Sequence, residues 1–207
     1  MNTKTWAQLG LAVVLLGVAA WMMSGVFSGP PINMGPYQAL GTVAAEEAAA
    51  MVGGSGRLVL IVPDPGPEGD PVQEGQVAAF RKELGRHQGV ELEATEVVAM
   101  DPMTRMQTGG AVPPSQYVAI RARHAGATGF VLFLPFPPMG EAELAEAGKG
   151  KAKVLVVSPA LPGYEALLRA GAFQVALVPR AEPAEGTAGA APGSARAVFD
   201  REYVVMR

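Results

Sequence analysis

The chain has 207 residues, no cysteine and a formal net charge of −3. Without cysteine there is no disulfide, thiolate zinc site, cysteine nucleophile or lipid-modified cysteine. The acidic balance argues against a nucleic-acid partner, because neutralising phosphates requires a basic face. Apolar residues make up 49% of the chain and charged residues 17%. The length that remains after an apolar N-terminal segment suits one domain.

The N-terminal segment is predicted to be an uncleaved, single-pass transmembrane helix. Residues 1–6 precede an uncharged apolar stretch at 7–27, which as a helix can cross a hydrocarbon core of about 30 Å. Lys4 lies before this stretch, and the next basic residue is Arg57. The positive-inside rule therefore predicts a cytoplasmic N-terminus, a bacterial inner-membrane bilayer as one partner, and residues 28–207 in the periplasm.

A cleaved signal peptide is the competing interpretation of this segment. Val26 and Ser28 are small enough for the two positions that a signal peptidase inspects. The apolar run is, however, longer than the usual signal core of about 7 to 15 residues. A buried core helix fits less well, because the run is apolar on every face. We therefore favour the anchor.

Beyond a Pro/Gly connector at 28–36, apolar runs alternate with amphipathic segments over a domain predicted at 37–180. Strands are predicted at 57–62, 90–98, 129–134, 154–157 and 173–178, and helices at 36–52, 73–87, 114–125, 141–147 and 164–170. Such alternation predicts the α/β class, with one doubly wound, mostly parallel, Rossmann-like sheet.

Three further segments carry weaker signals. Residues 181–196 are rich in Ala, Gly and Pro and are predicted to form a flexible loop. Residues 197–207 have a strand-like composition, which predicts an antiparallel edge strand. The loop at 100–114 contains Met100, Met103 and Met106. Methionines adapt to partners, so this loop either presents an apolar docking patch or folds over the core.

The sequence predicts a helix at 44–47, followed by a glycine turn and a first strand at 53–61. A second helix at 75–84 and a second strand at 89–94 come next. This run, with Phe80 inside the second helix, resembles one lobe of the type I periplasmic sugar-binding proteins. The resemblance covers 40–179. It implies a degenerate, single, membrane-anchored lobe with a periplasmic-binding-protein-like fold.

The same resemblance implies that ligand contacts are missing. Gln76 stands where an arginine is expected, the prolines and Phe136 at 135–138 replace an Asn-Asp pair, and Ser158 replaces an aspartate. A second lobe is absent. Independently of the resemblance, four strands end in proline, which has no N–H to offer a ligand: Pro63, Pro135, Pro159 and Pro179. We therefore predict a capped edge that argues against a small-molecule ligand.

Other candidate chemistry is also set aside. Asp64, Glu68 and Asp70 have oxygen ligands that could hold Ca²⁺ or Mg²⁺, but a solvated acidic loop is favoured. The glycines at 53–56 precede a strand, so they are interpreted as a helix stop and not as a phosphate-binding loop. His87 and His124 fall at helix ends, where the helix dipole favours positive charge. No catalytic, cofactor-binding or metal-binding residue is assigned.

Two functions follow as hypotheses. The first is a non-enzymatic, membrane-anchored accessory or scaffold subunit whose extracytoplasmic domain docks on other subunits of a larger membrane protein complex. The alternative is a membrane-tethered solute-binding or sensory module for a small ligand such as a sugar. An enzyme is the least favoured class, because no nucleophile motif such as Gly-x-Ser-x-Gly occurs in the sequence.

Overall fold

The computed structural model describes residues 32–140, 143–144, 151–158, 163–181 and 193–207. The predicted transmembrane helix at 7–27, most of the helix predicted at 141–147 and most of the loop predicted at 181–196 lie outside these residues. No helix within the described part of the chain has the length and apolar character needed to cross a membrane. The N-terminal anchor therefore stays a prediction.

One six-stranded sheet organises the unit Met34–Arg207, with strand order β2-β1-β3-β4-β5-β6. The first five strands are parallel, and β6 is antiparallel to β5. The strands are β1 Gly56–Pro63, β2 Val90–Val98, β3 Gly129–Leu132, β4 Lys153–Val157, β5 Val175–Pro179 and β6 Tyr203–Met206. This is the mixed, mostly parallel α/β sheet that the alternating pattern predicts.

Six helices lie wholly within the described residues: α1 Gly35–Met51, α2 Pro71–Leu84, α3 Pro102–Thr108, α4 Pro114–Arg123, α5 Tyr164–Arg169 and α6 Ala195–Glu202. Helices α1, α2 and α6 pack on one face of the sheet, and α4 and α5 pack on the other. Helix α3 has no buried residue. Two layers of helices therefore enclose the sheet, as in a doubly wound fold.

Strand β1 is buried on both of its faces. Side chains alternate along a strand, so Leu58, Leu60 and Val62 enter one hydrophobic core and Val59 and Ile61 enter the other. All five are at most 5% exposed. A continuous apolar run is therefore needed here, and the strand predicted from that run is confirmed.

Helix α1 lies close to its neighbours because its inner face is made of very small residues. Ala44, Ala45 and Ala48 are fully buried. At Gly41, an added Cβ atom would overlap with the main-chain oxygen of Gln76 on α2. The separation of α1 and α2 is therefore set by the absence of a side chain at this position.

Replacing Gly41 by alanine is expected to lower the free energy of unfolding by about 1–3 kcal/mol, since overpacking pushes the helices apart. The gain in helix propensity, about 1 kcal/mol, offsets part of this loss. Urea denaturation of the full chain measures the difference. Gly85→Ala is the matched control, because Gly85 has φ −62 and its nearest contact would be 3.5 Å away. Equal stability of the two variants would refute the close-approach argument.

The C-terminal segment differs from its prediction. A strand is predicted over 197–207, whereas the structure forms α6 first and confines β6 to Tyr203–Met206. The side chain of Ser194 caps α6 by accepting a hydrogen bond from the Ala197 N–H at 3.2 Å, and Phe199 is fully buried. The Ser194 cap and the buried Phe199 side chain thus favour a helix here despite the strand-like composition. The predicted antiparallel edge pairing is confirmed for β6.

A buried ion cluster fastens this C-terminal segment to α1. Glu47 is only 5% exposed, and its two carboxylate oxygens accept hydrogen bonds from Arg196 at 3.1 Å and Arg207 at 2.6 Å. Arg196 also lies 3.3 Å from Asp200 and over the ring of Phe199. The C-terminal helix and strand are therefore joined electrostatically to the first helix of the domain.

Candidate functional site

A concavity of about 400 Å³ opens at the carboxyl edge of the sheet. It is formed by the segment after β1, the first turn of α2, helix α3 with its flanking residues, and the residues that follow β3. Ligands of open α/β sheets bind beyond the carboxyl ends of the strands. This concavity is therefore the candidate site.

The wall formed by β1 and α2 carries fixed polar groups. Asp70 caps α2, with its Oδ1 atom accepting from the N–H groups of Val72 at 3.0 Å and Gln73 at 3.1 Å. The side-chain amide of Gln73 donates to the Pro63 carbonyl at 2.6 Å. Asp64 accepts from the Gly66 N–H at 3.0 Å. These bonds hold two carboxylates and one amide at the rim.

The opposite wall is provided by α3. Asp101 caps this helix, and its carboxylate accepts hydrogen bonds from the Thr104 hydroxyl at 2.6 Å and from the Thr104 and Met103 N–H groups at 3.0 Å. The Thr104 hydroxyl is the main reason that the pKa of Asp101 lies below its usual range. The helix points Arg105 into the concavity. A short helix thus replaces the middle of the loop predicted at 100–114.

The far half of the carboxyl edge is closed by an aromatic cluster, which we define as Tyr117, Phe136, Tyr164 and Phe173. Ring centroids lie 5.3–5.7 Å apart, and all four side chains are at most 3% exposed. The Tyr164 hydroxyl lies 2.7 Å from the Ser158 hydroxyl and accepts from the Phe136 N–H at 3.2 Å. Burial raises the pKa of Tyr117. Packed rings thus occupy the region beyond β3 and β4.

The cluster accounts for two of the departures noted in the sequence. Phe136 and Ser158, which stand where the resemblance implies polar ligand contacts, are both directed into the cluster. Gln76 is half-buried on α2 and does not line the concavity. Phe136 and Ser158 thus pack or hydrogen-bond within the aromatic cluster, and Gln76 lies outside the concavity.

The prolines at the strand ends do not fill the edge. Pro63 and Pro135 line the concavity, while Pro179 pairs with Tyr203 of β6. Pro159 lies outside the described residues. Within the described ranges, no group of three or more His, Asp or Glu side chains is arranged to hold a metal ion.

His124 belongs to an ion cluster on β2, outside the concavity. Its Nδ1 atom lies 2.9 Å from Glu93 and its Nε2 atom 2.7 Å from Glu96. Only the imidazolium form donates from both nitrogens. Arg123 contacts Glu96 at 2.7 Å, and Arg57 lies 3.5 Å from Glu93. The cluster joins the end of α4 to the edge strand.

The hydrogen bond to Glu96 is the main cause of a raised pKa at His124, followed by the bond to Glu93. Protonation of an imidazole whose pKa is raised in the folded state stabilises that state. The contribution is complete at pH values below the unfolded-state pKa of about 6.5, and it is lost as the pH rises through the folded-state pKa. We therefore expect His124→Gln to lose more stability at about pH 6 than at about pH 8.

Urea denaturation of the full chain at both pH values measures this difference. His87→Gln is the matched control, because it leaves the His124 contacts in place. An equal loss at both pH values for His124→Gln would contradict the double contact to Glu93 and Glu96.

Comparison with known proteins shows the fold. No protein-family model and no curated protein matches the sequence. Solved structures do match. One is a solute-binding protein of an ABC transporter from Burkholderia graminis in complex with D-arabinose, with TM-score 0.50, 21% identity and coverage of 69% of this chain and 47% of that one.

Two others are similar at the same level. A glucose-galactose binding protein from Geobacillus stearothermophilus matches with TM-score 0.52 and 19% identity, over 69% of this chain and 47% of that chain. A periplasmic solute-binding protein of an ABC transporter from Actinobacillus succinogenes, with bound D-allose, matches with TM-score 0.50 and 14% identity. The match again covers 69% of this chain and 47% of that chain.

The match covers less than half the length of each of these structures. The fold is accordingly that of one lobe of a type I periplasmic sugar-binding protein, and the predicted resemblance is confirmed at this level. At these identities the likeness shows the fold alone.

Proposed function

We propose that this domain is a non-enzymatic solute-binding lobe that takes a small polyhydroxylated ligand, such as a sugar, at the concavity between β1, β3 and α3. The observation that carries the proposal is the convergence of Asp64, Asp70, Gln73 and Arg105 around this one concavity. The fold shared with sugar-binding proteins supports the same assignment.

The side chains match the chemistry of hydroxyl groups. A sugar hydroxyl both donates and accepts hydrogen bonds, so it can donate to the carboxylates of Asp64 and Asp70 and accept from the guanidinium of Arg105. Met100 and Phe133 supply apolar surface beside these polar groups. A mixture of apolar lining and a few placed polar groups is typical of small-molecule sites.

The concavity is open to solvent, so this domain does not enclose a ligand by itself. Small-molecule sites commonly bury about 70–90% of their ligand. We therefore propose that another domain or chain covers the ligand from the other side. The tether and the extracytoplasmic location are part of the proposal and come from the uncharged stretch at 7–27.

Thermal unfolding of the full chain in mild detergent, with a panel of pentoses and hexoses, tests the site. A ligand at about 100 times its dissociation constant adds about 2.7 kcal/mol of stability, which raises the melting temperature by several degrees. We expect at least one sugar to give this shift. The double variant Asp64→Asn, Arg105→Gln should lose it, and the control Glu165→Gln, Arg169→Gln on α5 should keep it. No shift across the panel would contradict the proposal.

A docking role on a larger membrane complex is the second candidate. The observation that favours it is the exposure of Met103 at 58% and Met106 at 73% on α3, because exposed apolar side chains often mark contact surfaces. Purification of the full chain from its native membrane in mild detergent tests this role. Stoichiometric co-purification of other subunits supports it, and recovery of this chain alone contradicts it.

A further inference from the structure

We propose that two copies of this chain associate face to face through α3, so that each copy covers the concavity of the other. The inference rests on the proposed function only in taking that concavity as the ligand site. Exposed apolar side chains, and charges that have no ion-pair partner among the described residues, support the association itself.

The apolar part of the surface lies on α3. Met103 and Met106 are among the five large hydrophobic side chains that are exposed within the described residues. Met106 and Arg105 also line a shallow concavity of about 580 Å³ beside the candidate site. Methionine is flexible and adapts its shape to an opposing surface. Two copies of α3 can therefore bury these side chains against each other.

The charges on this surface complement each other across a two-fold axis. Arg105 forms no ion pair with any residue in the described ranges, although it faces Asp64 and Asp70 across the concavity. Asp64, Glu68 and Asp70 likewise have no cationic partner among the described residues. In a two-fold interface, residue i contacts residue j and residue j contacts residue i. Arg105 of each copy would thus meet the acidic segment of the other copy, defined as Asp64, Glu68 and Asp70, so that the contact occurs twice in the dimer.

Both signs of charge therefore line one concavity of one chain, and Met106 lines the adjoining concavity together with Arg105. A purely basic partner would satisfy the acidic segment but leave Arg105 unmatched. Strand pairing between copies through the free edge of β2 is less suitable. It carries Glu91, Glu93 and Glu96, and its pairing with β1 is interrupted by a bulge; both features discourage strand addition.

A charge-swap experiment on the full chain in mild detergent, without any sugar, tests the association. Light scattering after size exclusion should give a dimer for the unchanged chain. Arg105→Glu alone and Asp64→Lys, Glu68→Lys alone should each weaken dimerisation by about tenfold or more, because each places like charges at both contacts. An equimolar mixture of the two variants should restore the dimer, since both contacts are then attractive.

A monomeric unchanged chain, variants that stay fully dimeric, or a mixture that stays monomeric would each overturn the inference. A second measurement uses the absence of native cysteine. Under mild oxidation Met106→Cys should give a disulfide-linked dimer, and the exposed control Lys82→Cys on α2 should not. Because no sugar is present, failure here leaves the thermal-shift test of the ligand site unaffected, and the reverse also holds.

Discussion

Replacing Arg196 and Arg207 together by methionine is expected to lower the free energy of unfolding by about 3 kcal/mol. The two changes leave the Glu47 side chain, which is 6% exposed, as a buried charge without a cation. Breaking a buried ion pair from one side commonly costs about 3–5 kcal/mol. We expect the lower end of this range because the side chains of Arg196 and Arg207 are 43% and 64% exposed, so that solvent screens their charges. Urea denaturation of the full chain measures the loss.

The matched control adds Glu47→Leu to the double variant. This triple variant removes the buried charge together with its partners, and replacing a buried ion cluster by apolar residues is often neutral or stabilising. We expect it to recover most of the lost stability. A triple variant that is no more stable than the double variant would show that the arginines act through packing and not through Glu47.

Phe136→Ala is expected to lower the free energy of unfolding by about 3–5 kcal/mol, the usual range for a buried phenylalanine. Phe136 is 3% exposed, and its ring contacts those of Tyr117 and Phe173. Alanine would leave a cavity that the surrounding rings can fill only in part. Chemical denaturation of the full chain followed by circular dichroism measures the effect.

Phe136→Leu is the control for this variant, because leucine keeps most of the volume while it removes the aromatic contacts. Aromatic pairs contribute about 0.5–1.5 kcal/mol beyond their buried area. The leucine variant should therefore lose clearly less stability than the alanine variant. Similar losses for both would mean that ring geometry, and not filled volume, dominates the cluster.

The sheet could be predicted from the sequence because its strands are encoded locally. The runs at 58–62 and 154–157, for example, are apolar at every position, and the first of them ends at Pro63. Helices α3 and α6 were not predicted, because neither has a long apolar period. Each depends on one capping side chain, Asp101 or Ser194. The capping residues, each followed by a short helix-compatible run, are the signal that could have found them.

The candidate site was harder to predict, because its residues come from separate segments. The prolines at the strand ends can be identified in the sequence. Their positions do not, however, predict the concavity between the end of β1 and α3. Gln73 and Arg105 lie within helices and enter the site only through the position of those helices. The contact of Ser158 with Tyr164 and Phe136 is likewise tertiary. Sequence patterns identify these residues but do not show that they lie close together in the folded domain.

The site assignment is tested most directly by titrating the isotopically labelled full chain with the sugar that gives the largest thermal shift and following amide resonances by NMR. We expect perturbations at the rim of the concavity, including the amides of Gly66, Gln73 and Gly110, and no change at the amides of α6. Perturbations confined to other parts of the domain, or none at saturating sugar, would contradict a ligand site at this edge of the sheet.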